Sequence, residues 1–317
     1  MRLRPPALGI LTACLLSGLV AVPARAADPV IAAAGDIACG TAAVTTGSSC
    51  HYGLTSSVIT ADPSITDVLT LGDLQYECGD YTNFLRFYDP TWGLFRARTH
   101  PAIGNHEYVA VPSSGCDPTS TVPGQGYFDY WNGVGAASGP AGDRDRGYYS
   151  YEVGSWHLIA LNSNCPKVGG CGATSPEATW LRADLAAHPA ACTLAYWHHP
   201  RFSSGEHGDN IIVAPFWDIL YGAGVDVVQN GHDHDYERFA PQTPAGVADP
   251  VTGIRQFVVG TGGRSHYAVT AIKPNSEVQN GDTFGVLKLT LHAQGYDWQF
   301  APEAGRSFTD AGSGACH

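Results

Sequence analysis

The feature that most constrains this chain is a repetition. Short apolar runs of strand character each give way directly to metal-ligating side chains. The run 30 to 34 leads into Gly35-Asp36, and 68 to 71 leads into Gly72-Asp73-Leu74-Gln75-Tyr76. The run 194 to 197 leads into His198-His199-Pro200, and 225 to 228 into Gly231-His232-Asp233-His234-Asp235-Tyr236-Glu237-Arg238. A fifth cluster, Gly104-Asn105-His106-Glu107, follows another short apolar segment. An H-x-H pair alone is weak, since two loop histidines are more often solvated than metallated. Strand ends, however, are where α/β sheets place their chemistry, and five such clusters argue for one shared site.

Further apolar runs occur at 156 to 161, 257 to 259 and 284 to 291, and helical spacing recurs near 52 to 61, 79 to 88, 175 to 187 and 211 to 222. The alternation predicts strand-helix-strand units with partly parallel pairing. Two regions depart from it. Residues 109 to 147, rich in Gly, Pro and Ser with Tyr127, Phe128, Tyr130 and Trp131, read as a long ordered loop, either a wall over the site or a disulfide-pinned excursion with its own aromatic core. The C-terminal stretch alternates at 285 to 291 and 296 to 300 without helices, which predicts a second sheet packed on the first.

The N-terminus carries Arg2 and Arg4, an apolar stretch from about residue 7 to 22, and the small-x-small pattern Ala24-Arg25-Ala26. Residues 1 to 26 therefore read as a removed signal peptide of a secreted protein. Broken by Ser17 and Gly18, the apolar run is short for a membrane span. The lipoprotein-like Leu11-Thr12-Ala13-Cys14 is disfavoured because the apolar region continues past Cys14. Removal of this segment leaves 14 basic against 29 acidic residues, a net charge of −15. Such a surface excludes a general polyanion-binding role, so neither nucleic acid nor an anionic membrane is expected as a stable partner. A small phosphate ester held by metal ions stays compatible, because local cations override the net field. Eight cysteines remain, an even number that reads as disulfides in an oxidising compartment. Their connectivity is open, although Cys165 and Cys171 bracket a loop short enough to close on itself.

A two-metal site needs a carboxylate able to bridge, further anionic ligands for the harder ion, and neutral ligands for the softer one. Asp36, Asp73, Asn105, His198, His232 and His234 supply that inventory, and Tyr76 can bring a phenol to the same point. In order and spacing the five clusters resemble the calcineurin-like metallophosphoesterases, and within them the purple acid phosphatases. Most superfamily members read D-x-H at the first motif. This chain has Asp36-Ile37-Ala38, and Ala38 cannot ligate; in purple acid phosphatases the tyrosine of G-D-x-x-Y, here Tyr76, replaces the lost histidine.

The resemblance implies an α/β fold of two packed mixed β-sheets flanked by helices, a four-layer αββα sandwich, with residues 27 to 317 as one catalytic domain. It implies one site of Asp36, Asp73, Tyr76 and His234 for Fe(III), and another of Asp73, Asn105, His198 and His232 for Fe(II), Zn or Mn, with Asp73 as the bridge. His198 is preferred to His199 because the family places its histidine two residues before the proline. His106, and His207 from the loop 203 to 208, are the candidates for holding phosphate and protonating the leaving oxygen. Tyr236, Glu237 and Arg238 are expected to support the structure or orient the ligand histidines. His51, His100, His157, His188, His266, His292 and His317 lie outside the motifs and are expected on the surface or as satisfied core residues.

The implied activity is hydrolysis of phosphomonoesters by a two-metal, metal-hydroxide mechanism. The alternatives are a secreted phosphodiesterase or nuclease with the same site, and a non-catalytic binding protein on the same fold. Neither a G-x-S-x-G nor a P-loop pattern occurs, so acyl transfer and nucleotide-driven phosphoryl transfer lack support. With the first motif about ten residues after the expected cleavage point, the separate N-terminal β-domain of the large plant enzymes is expected to be absent.

Overall fold

The computed structural model describes residues 1–3, 5, 27–109, 116, 122–269 and 271–317. Nearly all of the expected signal segment thus lies outside the described residues. Two sheets dominate. One runs β15 (Ala311–Ala315), β14 (Gly295–Pro302), β13 (Gly285–His292), β1 (Val30–Ala34), β2 (Ile65–Leu71), β3 (Thr99–Ala102). The other runs β12 (Ser276–Asn280), β10 (Tyr236–Phe239), β11 (Arg255–Val259), β9 (Val227–Asn230), β8 (Cys192–Tyr196), β7 (Trp156–Ala160), β6 (Tyr149–Val153). A small hairpin joins β4 (Ser138–Gly139) to β5 (Gly142–Asp143).

The inner faces of the two sheets share one core, in which Leu69 and Leu287 of the first meet Leu158 and Tyr196 of the second. Because side chains alternate along a strand, Leu158 and Ala160 of β7 face that core, while Ile159 and Leu161 enter a second one. There they pack against Leu181 of helix α4 (Pro176–Ala187) and Phe216, Trp217 and Leu220 of α5 (Ala214–Gly222). Burial of each such side chain contributes roughly 1.5–3 kcal/mol. On the far side, α1 (Tyr52–Ala61) lies against β13 and β14. The layers are therefore helix, sheet, sheet, helix, in agreement with the expected sandwich.

Helix positions follow the sequence periodicity closely. α4 starts where Ser175 accepts a hydrogen bond from the Ala178 N–H at 3.2 Å, with Pro176 in its first turn, a favoured start. The pairs β1–β2, β7–β8 and β8–β9 are parallel, with α1, α4 and α5 as their respective crossovers. The ends of β1, β2, β3, β8 and β9 consequently deliver the five motifs to a common edge.

Two expectations change. The C-terminal strands do not form a sheet apart: β13 pairs antiparallel with β1, whose other edge is taken by β2, so β13–β15 complete the first sheet. Nor is 109 to 147 a loop throughout. It contains α3 (Gln125–Asn132) and the β4–β5 hairpin. Its aromatics join the main core instead of forming their own: Tyr130 stacks on Phe84 at 4.8 Å between centroids, beside the helical segment that follows α2 (Tyr81–Asn83).

All eight cysteines pair, as Cys39–Cys50, Cys78–Cys116, Cys165–Cys171 and Cys192–Cys316. The last ties the end of the first sheet to β8 of the second. Closing 124 residues, it disfavours the unfolded chain by about 4–5 kcal/mol in the chain-entropy account. Among the described residues no helix is long and apolar enough to cross a membrane.

Candidate functional site

Asp36, Asp73 and His232 each follow a glycine at a strand end and adopt left-handed backbone angles, with φ of 60°, 50° and 73°. Such angles are costly for residues with a Cβ and persist where surrounding structure over-determines them. Here they turn the chain sharply and point three side chains inward. Glycine is needed beside them for want of space: a Cβ on Gly72, whose φ is 87°, would lie 2.6 Å from His198 Nδ1, and one on Gly104 would lie 2.1 Å from the Asp73 amide nitrogen.

Two groups of donor atoms result. Tyr76 Oη lies 2.8 Å from Asp36 Oδ1, 3.1 Å from Asp73 Oδ2 and 3.0 Å from His234 Nε2. His198 Nε2 lies 3.1 Å from Asp73 Oδ2, 3.0 Å from Asn105 Oδ1 and 3.2 Å from His232 Nδ1. Asp73 Oδ2 belongs to both groups. Asp36, Asp73, Tyr76, His198 and His234 are buried, whereas Asn105 and His232 are partly open, so the second group faces the entrance.

Hydrogen bonding leaves close contacts between like groups unmatched. The Tyr76 phenol has one proton for two carboxylate oxygens, and His198 Nε2 has at most one for Asp73, Asn105 and His232. Among the described residues, no Lys or Arg pairs with Asp36 or Asp73. Bound cations would relieve both, since metal bonds of about 2.0–2.2 Å place neighbouring ligand atoms about 3 Å apart. The electrostatics agree. Burial and the nearby Asp36 and Asp73 push the Tyr76 phenol well above its usual pKa. Burial disfavours charge on His198, but the Asp73 carboxylate outweighs it and raises the pKa to about 9. Burial and the neighbouring His198 push His232 far below the usual histidine value, which keeps it neutral.

The imidazoles are held from behind, which fixes the nitrogen each presents. His198 Nδ1 meets the Leu71 carbonyl at 2.9 Å, and His234 Nδ1 meets Ser265 Oγ at 2.8 Å. His199, expected to pack beside the site, stands next to the His198 and His232 imidazoles. Its Nδ1 is likewise held, 2.8 Å from Ser163 Oγ, and burial and His198 lower its pKa to about 3; it gathers with His198 and His232 as a third imidazole.

The two candidates for substrate contact stand beside the donor groups. His106 lies over the Tyr76 ring at 4.3 Å, and its Nδ1 is held by the Glu77 carbonyl at 2.6 Å. Its Nε2 is 3.9 Å from Asp73 Oδ2. His207 is exposed and stacks on His232 at 4.3 Å.

A sequence model described as calcineurin-like phosphoesterase matches residues 30–236. The chain belongs to that family. Its curated relatives include purple acid phosphatase 18 of Arabidopsis thaliana, 32% identical over 129 residues, which are 39% of this chain and 28% of the relative. Purple acid phosphatase 21 of the same plant is 30% identical over 223 residues, 64% of this chain and 48% of the relative. The chain thus spans less than half the length of these relatives. In fold it is similar to the purple acid phosphatase PPD1 from yellow lupin (Lupinus luteus) seeds, with a TM-score of 0.69, 19% identity, and coverage of 92% of this chain and 54% of that one. It is also similar to GAP50, the anchor in the inner membrane complex of Plasmodium, with a TM-score of 0.61, 13% identity, and coverage of 90% and 88%.

Several supporting residues of this family member lay beyond motif reasoning. Glu107, the last residue of Gly104-Asn105-His106-Glu107, is buried and accepts backbone N–H groups from Asp73, Leu74, Gln75 and Gly104 at 3.0, 2.8, 3.2 and 2.8 Å. It clamps the Asp73 and Asn105 loops together. Asp233 accepts from the His207 N–H at 2.8 Å and from Ser203 Oγ, and so fastens the loop that carries His207. Of their two expected roles, Tyr236, Glu237 and Arg238 take the structural one and do not hold the motif histidines. Glu237 holds Ser204 and Ser276, and Tyr236 and Arg238 both bond Asp310, away from the cluster.

Proposed function

We propose that this chain is a secreted phosphatase that hydrolyses small phosphomonoesters at a two-metal centre. Asp36, Asp73, Tyr76 and His234 would hold one ion, Asp73, Asn105, His198 and His232 the other, with Asp73 between them. The observation that carries this reading is the position of Asp73 Oδ2, 3.1 Å from both Tyr76 Oη and His198 Nε2. Iron(III) would suit the first position, because Tyr76, a phenol that burial and two carboxylates hold protonated, would ligate as phenolate most readily to a strongly acidic cation. Fe(II), Zn or Mn suits the second, where imidazole and amide ligands predominate. Held there, two cations would supply an acidified water and charge neutralisation at the phosphoryl oxygens.

The chain's own part is positioning and proton transfer. With Nδ1 tied to the Glu77 carbonyl, His106 presents Nε2 to the substrate side, and from that atom it protonates the leaving oxygen. His207, braced by Asp233 and stacked on His232, supplies a second imidazole at the open side of the site. The four disulfides and the expected signal peptide support an extracellular location. The acidic mature chain disfavours long polyanions, which supports small monoesters over nucleic acids.

The test is metal analysis together with kcat/KM for an aryl monophosphate and the matching bis-aryl diester. About two metals per chain, at least one of them iron, with a clear monoester preference, is the expected result. A diester preference would move the assignment to a phosphodiesterase. Intact metals with no turnover on either would favour a binding protein, a role the fold alone permits.

A further inference from the structure

At the opposite end of the second sheet, two histidines outside the motifs meet two carboxylates. His157 is the second residue of β7 and lies directly across the antiparallel pair from Glu152 of β6. Its Nδ1 is therefore 2.7 Å from Glu152 Oε1. α4 covers the same face, and its Asp184 Oδ2 lies 2.8 Å from His157 Nε2. One helical turn further on, the spacing that stacks side chains on one helix face, His188 brings Nδ1 to 3.3 Å from Asp184 Oδ1. The His188 ring lies nearly parallel to that of His157, with centroids 5.0 Å apart. Ser150 Oγ donates to Asp184 Oδ1 at 2.6 Å and steadies the carboxylate. Donor atoms of His157, Asp184 and His188 all fall within 4.8 Å of one another.

We propose that His157, Asp184 and His188 form a further divalent-cation site of zinc type, separate from the Asp73 centre. His157 Nε2, an Asp184 oxygen and a His188 ring nitrogen occupy three positions of a tetrahedron, and solvent takes the fourth. Two imidazoles with one carboxylate select zinc, nickel or copper over calcium or magnesium. Glu152, behind His157, fixes the tautomer that leaves Nε2 free to ligate, the carboxylate–histidine arrangement that commonly backs a metal-bound imidazole.

Burial and access also fit. The His157 side chain is 1% exposed, so its orientation is set by packing, while His188 at 49% leaves a route for an ion from solvent. Two carboxylates with two neutral imidazoles carry two negative charges, which a divalent cation cancels. The competing arrangement, a protonated His157 between Asp184 and Glu152, leaves negative charge over. Burial works against that protonation and the hydrogen bonds to Asp184 and Glu152 favour it, so proton and cation compete for the same nitrogen. The site is separate from the phosphoesterase centre: past His157, β7 runs three more residues to Ala160, about 10 Å of strand, and the chain continues to Ser163 before it reaches His199.

The test is a Zn²⁺ titration by calorimetry of the isolated protein with its resident metals, combined with anomalous scattering from a Zn²⁺-soaked crystal. Wild type should bind a further equivalent, with a peak between His157, Asp184 and His188. His188→Ala changes an exposed residue at a helix end and should abolish that binding. Glu152→Gln should weaken it by about 10–100-fold, and aryl phosphate turnover should stay at the wild-type level in both variants. Identical isotherms for wild type and His188→Ala would overturn the proposal, as would a zinc peak confined to the Asp73 centre.

Discussion

Glu107→Gln isolates the mechanical support of the site from its ligands. The carboxylate takes two N–H donors on each oxygen, Leu74 and Gln75 on Oε1, Asp73 and Gly104 on Oε2. Burial and the charge on Asp73 push its pKa up to about 7. The backbone donors oppose that rise, and with all four positions filled no room remains for a proton, so the loops are built around the ionised form. Glutamine keeps the shape but replaces one oxygen with an NH₂ group. Whichever oxygen is lost, two buried N–H groups then face a donor. Each orphaned donor costs about 1–3 kcal/mol, which gives about 4 kcal/mol in total. At roughly 2–4 °C per kcal/mol for a domain of this order, Tm should fall by about 10 °C. Because the clamp joins the Asp73 and Asn105 loops, metal content should fall as well. Calorimetric melting and elemental analysis of wild type and variant are the assays. A Tm within about 2 °C of wild type, with both metals retained, would refute the clamp.

Asp73→Ala should be the most damaging single ligand change, with metal content and activity lost together; a variant that kept both metals would show that Asp73 does not bridge them. His106→Ala should keep its metals while turnover on an aryl monophosphate falls by about 10² to 10⁴, and metal loss would instead place His106 among the ligands. In the metal-free protein His198 has a pKa raised to about 9 against about 6.5 unfolded, burial opposing the charge and Asp73 prevailing. Its pairing with Asp73 therefore stabilises the chelated protein fully below pH about 6.5 and is lost as pH climbs through about 9. Thermal melts of chelated protein across that range should record the decline, and a flat profile would count against the buried pair.

The site was legible because its residues are contiguous with strands: Asp36, Asp73, Asn105, His198 and His232 each stand within three residues of a strand end. The four helical segments were legible for a similar reason, their periodicity being local. Sheet membership was not. Alternation in β13 identifies a strand with one buried face, but whether it pairs with β1 or builds another sheet depends on which edge lies open after β2 has paired. The aromatics of α3 were seen as a group, yet their burial against Phe84 depends on a distant segment. Glu107 and Asp233 stood in plain view inside the motifs, but their tasks are acceptance of backbone N–H groups from loops 26 to 34 residues away, and neither spacing nor residue type reports such a bond. The meeting of His157 with Asp184 and His188 depends likewise on α4 packing across β7.

The central claim is that Tyr76 ligates a ferric ion in place of the histidine that Ala38 replaces, and a visible spectrum tests it most directly. Wild-type protein should show a tyrosinate-to-iron charge-transfer band, and Tyr76→Phe should lose it, since Tyr76 Oη is the phenol that meets Asp36, Asp73 and His234. A band that survives Tyr76→Phe, or a colourless and fully active wild-type protein containing only zinc or calcium, would contradict the account.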